Sequence, residues 1–175
     1  MTSRKHLGQS FLRQLLAGFL CLATFWATGQ TFARPDPISW SLKMDGSSKT
    51  IKAGSVFKVQ MEAIIEDGWH LYSTEQPAGG PKPTRIVLKS DEVFEAVGTA
   101  ESPAPLTAHD PNFDIDTEFY QEAVTFTIPV RVSQRAPAGS YKLQVEVRFQ
   151  ACTTELCLPP TTIKLDLPVE IAKAG

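Results

Sequence analysis

The sequence predicts an all-β domain, an antiparallel β-sandwich, behind an export signal. Three observations predict it. Apolar and polar residues alternate in long runs, as in Phe57-Lys58-Val59-Gln60-Met61, the period of a strand with one face on a core and one in water. Clusters of turn-forming residues separate the runs. No segment after residue 33 repeats its apolar residues at helical spacing. Eight or so such strands make two sheets packed face to face.

The first element is a leader. Arg4, Lys5 and Arg13 form a basic start with no acid nearby, and Leu15 to Ala27 is an apolar run of signal-peptide length, too short for a comfortable membrane span. Thr31-Phe32-Ala33 places small residues where a signal peptidase reads, so the cut is expected after Ala33. Cys21 is not in a lipoprotein box, because Phe19 and Leu20 precede it. Residues 1–33 are therefore read as a signal peptide and 34–175 as one domain. The leader holds three of the 17 Lys and Arg and none of the 19 acids, so its removal moves the net charge from −2 to about −5. There is no basic stripe, and no nucleic-acid partner is expected. A bacterial-style signal points to the periplasm, an oxidising compartment where disulfides persist.

The strands follow. Phe57, Val59, Met61, Ala63 and Ile65 face one way against Lys58, Gln60 and Glu62. Val124 to Val132, Tyr141 to Phe149 and Ile163 to Ile171 repeat the alternation. Shorter candidates are Ile38 to Met44, Trp69 to Ser73, Arg85 to Lys89 and Val93 to Val97. Asp45-Gly46-Ser47-Ser48, Glu66-Asp67-Gly68 and Ala136-Pro137-Ala138-Gly139 are turns. Pro168 on the polar face of the last strand predicts an edge position. Trp40 and Trp69 read as core residues. Two stretches read as long loops: Thr74 to Thr84, stiffened by Pro77, Pro81 and Pro83, and Gly98 to Thr117, with His109 and a lone aromatic, Phe113. Long loops in a compact domain tend to be functional.

The chemistry lies at the tip of the last hairpin, Phe-Gln-Ala-Cys-Thr-Thr-Glu-Leu-Cys-Leu-Pro-Pro, where Cys152 and Cys157 stand with four residues between them. A disulfide there closes so small a ring that the chain-entropy gain is only roughly 2 kcal/mol. It cannot join two sheets across a core as an immunoglobulin disulfide does. Strand parity from Tyr141 to Phe149 places odd residues inward, so Cys152 is expected on the other side, near the surface or under a loop. Accessible disulfides are the ones that exchange. No helix N-terminus lies nearby to activate a thiol, and Glu155 between the cysteines disfavours a thiolate. The pair reads as a relay for specialised partners rather than a general oxidant. The alternative is a non-catalytic immunoglobulin-like binding module whose hairpin disulfide is a staple.

The hairpin resembles the redox hairpin of the N-terminal periplasmic domain of the thiol:disulfide interchange protein DsbD. Gly68-Trp69-His70-Leu71-Tyr72, Gly79-Gly80-Pro81-Lys82-Pro83-Thr84 and Glu118-Phe119-Tyr120 with Val124 to Val130 resemble further stretches of that family, over residues 37–171 or so. The resemblance implies an immunoglobulin-like sandwich. It implies that Cys152 and Cys157 are the redox pair, with Cys157 forming the mixed disulfide, and that Phe113 is the aromatic of a cap over them. It implies His70 and Tyr72 in the site wall, with His70 at a position often held by Tyr. The partners it implies are thioredoxin-like periplasmic proteins and a membrane electron donor, met by a monomer. The family's acids before the cap aromatic fall here on Pro111 and Asn112, with Asp110 and Asp114 out of register, so no acid role in proton handling is expected. With one domain read after the leader, the electron donor is expected to be a separate protein.

No cofactor is expected. His70 and His109 with two cysteines would suit copper(I) by ligand softness, but no close His-x-His or Met-rich pattern accompanies them. No nucleophile motif supports a serine hydrolase.

Overall fold

The computed structural model describes residues 36–46 and 50–172. The signal peptide expected over residues 1–33 lies outside the described residues.

Twelve strands occur in chain order: β1 Ile38–Met44, β2 Thr50–Lys52, β3 Val56–Ile65, β4 His70–Tyr72, β5 Arg85–Leu88, β6 Phe94–Ala96, β7 Leu106–Asp110, β8 Ile115–Tyr120, β9 Ala123–Val132, β10 Gly139–Phe149, β11 Ala151–Cys152 and β12 Thr161–Ala172. No helix occurs among the described residues. Two four-stranded sheets, ordered β1-β3-β9-β6 and β2-β12-β10-β5, form the immunoglobulin-like sandwich. A third small sheet runs β11-β4-β8-β7.

The alternation seen in the sequence is what builds the core. Val59, Met61, Ala63, Phe126, Ile128 and Val130 from one sheet meet Leu143, Val145, Val147 and Val169 from the other, all buried. Aromatic rings tie the layers. Trp40 on β1 lies 6.0 Å from Phe126 on β9 and 5.4 Å from Phe149 on β10, and Tyr120 meets Phe126 edge-on at 5.7 Å. Trp40 and Trp69 are only partly buried and pack against the core from its margin, a looser position than expected. On the polar face Gln144 donates to Asp166 directly across β10 and β12 at 2.9 Å.

Three expectations need correction. The stretch Gly98 to Thr117 is not a long irregular loop. Leu106 to Asp110 and Ile115 to Tyr120 pair as an antiparallel hairpin. Second, β12 is not an edge strand, since it lies between β10 and β2, although β2 covers it only from Glu170 to Ala172. Pro168 precedes that covered stretch, where a missing N–H leaves no gap in the pairing with β2. Third, the β2–β12 pairing is parallel, the one departure from an antiparallel ladder among the strand pairs.

The third sheet positions the cysteines. It continues from the end of β3, the start of β9 and the end of β10, and so sits at one end of the sandwich. Gln150 is the residue at which the chain changes partners: Phe149 still pairs with Thr161 of β12, while Ala151 pairs with Leu71 of β4. Successive residues then face opposite ways. Leu71, Tyr120 and Ala151 belong to the core. His70, Tyr72 and Cys152 face the other side.

A hairpin disulfide beside a buried tyrosine and aspartate

Cys152 and Cys157 are joined by a disulfide. Their geometry follows from the ladder. The Leu158 N–H donates to the Ala151 carbonyl at 3.0 Å, and the Thr153 N–H to the Leu156 carbonyl at 2.8 Å. These bonds flank the cysteines and make them a non-hydrogen-bonded antiparallel pair, the register at which opposed side chains come closest. Their Cα atoms are 4.1 Å apart. The Thr153 hydroxyl caps the turn, accepting from the N–H groups of Glu155 at 3.1 Å and Leu156 at 3.0 Å. Cys152 is wholly buried, yet outside the core cluster, whereas Cys157 is partly exposed. Cys152 thus faces away from the core as parity predicts, and it is covered rather than open to solvent, the second of the two placements expected.

The turn between β7 and β8 is tied to the cysteine hairpin. Its carbonyl Asp110 O accepts from the N–H of Phe113 at 3.2 Å and of Asp114 at 2.8 Å, and Asp114 adopts φ 56°, a left-handed conformation that Asp tolerates. The side chain of Asn112 crosses to the cysteine hairpin and donates to the Thr153 carbonyl at 2.8 Å. Phe113 is half-buried and meets Tyr72 edge-on, with ring centroids 6.1 Å apart. It stands one ring away from the sulfurs, since the Tyr72 hydroxyl is 4.0 Å from Cys157 Sγ.

Asp110 organises this site through its hydrogen bonds. It is the last residue of β7 and is buried. Its Oδ2 accepts from the Tyr72 hydroxyl at 2.5 Å and more weakly from Thr117 at 3.4 Å. Its Oδ1 accepts the Asn112 N–H at 2.9 Å and the Asn112 amide at 3.2 Å. Burial pushes the carboxyl upward, but the donated hydrogen bonds from Tyr72 and Asn112 outweigh it, and the acid is held below its usual range. Tyr72 is pushed far above the ordinary phenol value, first by burial and then by Asp110, and so keeps its proton. The sequence carried a signal for Asp110: Asp-Pro-Asn is a side-chain-capped turn.

His70 lies opposite Cys152 in the β4–β11 register. Its ring meets Tyr72 edge-on at 4.9 Å and Phe119 at 5.1 Å. Burial lowers its pKa, and the attraction of Asp110 only partly offsets this, so the imidazole is neutral near pH 7. Its Nε2 is buried without a hydrogen-bond partner, 3.9 Å from Asp110 Oδ2. His109, the other histidine weighed for copper, is exposed on β7 and faces Asp114 and Asp116.

The proline-glycine loop 74–84 reaches the same region. Its Lys82 N–H donates to the Gln150 side chain, whose amide in turn donates to the Leu158 carbonyl. Gly80 passes so close to β8 that a Cβ there would lie 3.1 Å from Ile115 Cδ1.

Fold and site together define a class: an immunoglobulin-like β domain bearing a shielded hairpin disulfide. The family model described as thiol:disulfide interchange protein DsbD, N-terminal, matches residues 45–168, and the chain belongs to that family. Among solved structures, the N-terminal periplasmic domain of ScsB from Proteus mirabilis matches with TM-score 0.53 at 20% identity, over 76% of this chain and 47% of that one. The likeness is one of fold, and this chain spans about half the length of that structure. A family 123 glycoside hydrolase from Clostridium perfringens matches with TM-score 0.40 at 8% identity, over 79% of this chain and 28% of that one. No curated protein sequence matches this chain.

Proposed function

We propose that this domain is a periplasmic thiol–disulfide exchange module that relays electrons through Cys152 and Cys157. It accepts them from a membrane electron donor and passes them, by mixed disulfides, to thioredoxin-like partners. The observation that carries this reading is the inequality of the two sulfurs: Cys152 is wholly buried and Cys157 partly exposed. An incoming thiolate approaches along the sulfur–sulfur axis, and only Cys157 offers it a face. Attack there joins the donor to Cys157 and expels Cys152 as the leaving sulfur. A second donor thiolate then takes the donor's own sulfur back as a disulfide, leaving the Cys152–Cys157 dithiol, two electrons richer. In this reading the module works as a monomer. Phe113, His70 and Tyr72 form the wall that limits access.

The leader reading belongs to the same proposal. Export through residues 1–33 supplies the compartment in which such a relay works, and the exported protein is expected to begin at Arg34 by mass.

The test is the reduction potential of the pair together with trapping. A potential above about −250 mV, within the range of exchange proteins, is expected. The Cys152→Ser variant, which lacks the resolving thiol, accumulates a mixed disulfide on Cys157. A potential well below about −300 mV and no trapped species overturns the relay in favour of a staple.

A further inference from the structure

The geometry points to His70 as the proton acceptor for Cys152 when that thiol resolves a mixed disulfide on Cys157. The inference rests on the exchange reading above and adds to it a residue that the β4 strand places at the inner sulfur.

Residues directly opposite in an antiparallel pair share a face with Cβ atoms about 5 Å apart. His70 and Cys152 are such a pair. Cys152 is wholly buried, so water does not reach it, and a thiolate left there carries a heavy desolvation cost. Its proton must pass to a neighbouring group. The titratable groups facing this position are Asp110 from β7, Tyr72 from β4 and His70. Asp110 is engaged by Tyr72 and Asn112 through both oxygens. Tyr72 already carries its proton and donates it to Asp110. His70 alone has a buried nitrogen without a partner. Asp110, 3.9 Å from that nitrogen, stabilises the imidazolium once it forms.

The step balances. Cys152–SH attacks the Cys157 sulfur of the mixed disulfide and its proton moves to His70. The Cys152–Cys157 bond forms and the partner–Cys157 bond breaks. The partner leaves as a thiolate with the electron pair, reduced, while the hairpin is oxidised. The imidazolium then loses its proton to solvent.

The experiment follows the reduced full chain with an aromatic disulfide that releases a coloured thiolate. A first release reports attack by Cys157, and a second reports resolution by Cys152. For the wild type the second rate is expected to be independent of pH between about pH 6.5 and about 8.5, since burial holds the imidazole below its ordinary value and a buried thiol above its own. In His70→Tyr, which keeps a buried ring, it falls by roughly a hundredfold relative to the first rate and rises in proportion to hydroxide. His70→Gln serves as a second variant. A wild-type second rate that itself rises with hydroxide across this range, or variants that match the wild type, overturns the role of His70. Absence of both releases from wild type instead overturns the exchange reading.

Discussion

Asn112, in the turn between β7 and β8, holds the Thr153 carbonyl of the cysteine hairpin at 2.8 Å. This contact fastens the cover to the tip it covers, while Phe113 behind it packs on Tyr72. Asn112 is itself braced, since its backbone and side chain both donate to Asp110. Turn and tyrosine therefore meet at one buried carboxylate, and Asn112 links it to the tip.

Loosening the cover should expose the sulfurs. Asn112→Ala removes the hydrogen bond to the Thr153 carbonyl and the longer one to Asp110, each worth about 1 kcal/mol, so stability falls by no more than about 2 kcal/mol. Reduction of the disulfide by dithiothreitol should nonetheless become several-fold faster. Phe113→Ala should accelerate it further by removing the ring. Unchanged rates in both variants would show that the β7–β8 turn does not control access.

The site should also set the pH dependence of stability, in two windows. His70 has a lowered pKa in the fold, so as pH falls below about 6.5 the unfolded chain takes up a proton that the folded one resists. Stability contributed above that pH is lost below it. Asp110 is likewise lowered, and its contribution is lost as pH falls below about 4. Denaturant melts across pH should show the first decline vanish in His70→Tyr and the second shrink in Asp110→Asn. Tyr72→Phe leaves the carboxylate without its shortest donor, costs about 2 kcal/mol, and shrinks the acid decline by letting the folded carboxyl rise toward its unfolded value.

The core prediction is simpler. Phe126 is wholly buried between Trp40 and Tyr120, where the sandwich meets the third sheet. Phe126→Ala should cost about 3–5 kcal/mol by thermal or chemical melting. A loss near 1 kcal/mol would mean that the rings collapse into the space.

The long strands were legible because each buries one face. Phe57 to Ile65 and Tyr141 to Phe149 show it residue by residue in their burial. The β7–β8 hairpin was not legible. Leu106 to His109 are all exposed, so β7 has no apolar alternation, and backbone pairing alone makes it a strand. The three residues of β2 are too few to show a period. Of the site, Cys152 and Cys157 could be named from the chain itself, and Phe113, His70 and Tyr72 by family resemblance. Asp-Pro-Asn marks a turn at Asp110, but its place in the site comes from where the hairpin turns. That it meets Tyr72, 38 residues earlier, is a fact of topology.

On β4, the side chains of His70 and Tyr72 serve the disulfide while Leu71 between them serves the core. The sulfur bond and the hydrophobic interior thus lie on opposite sides of one peptide ribbon. Opening the bond withdraws no wedge from the interior and leaves no void in it. This division of labour lets the sulfurs change their bonding while the packed sandwich keeps its shape.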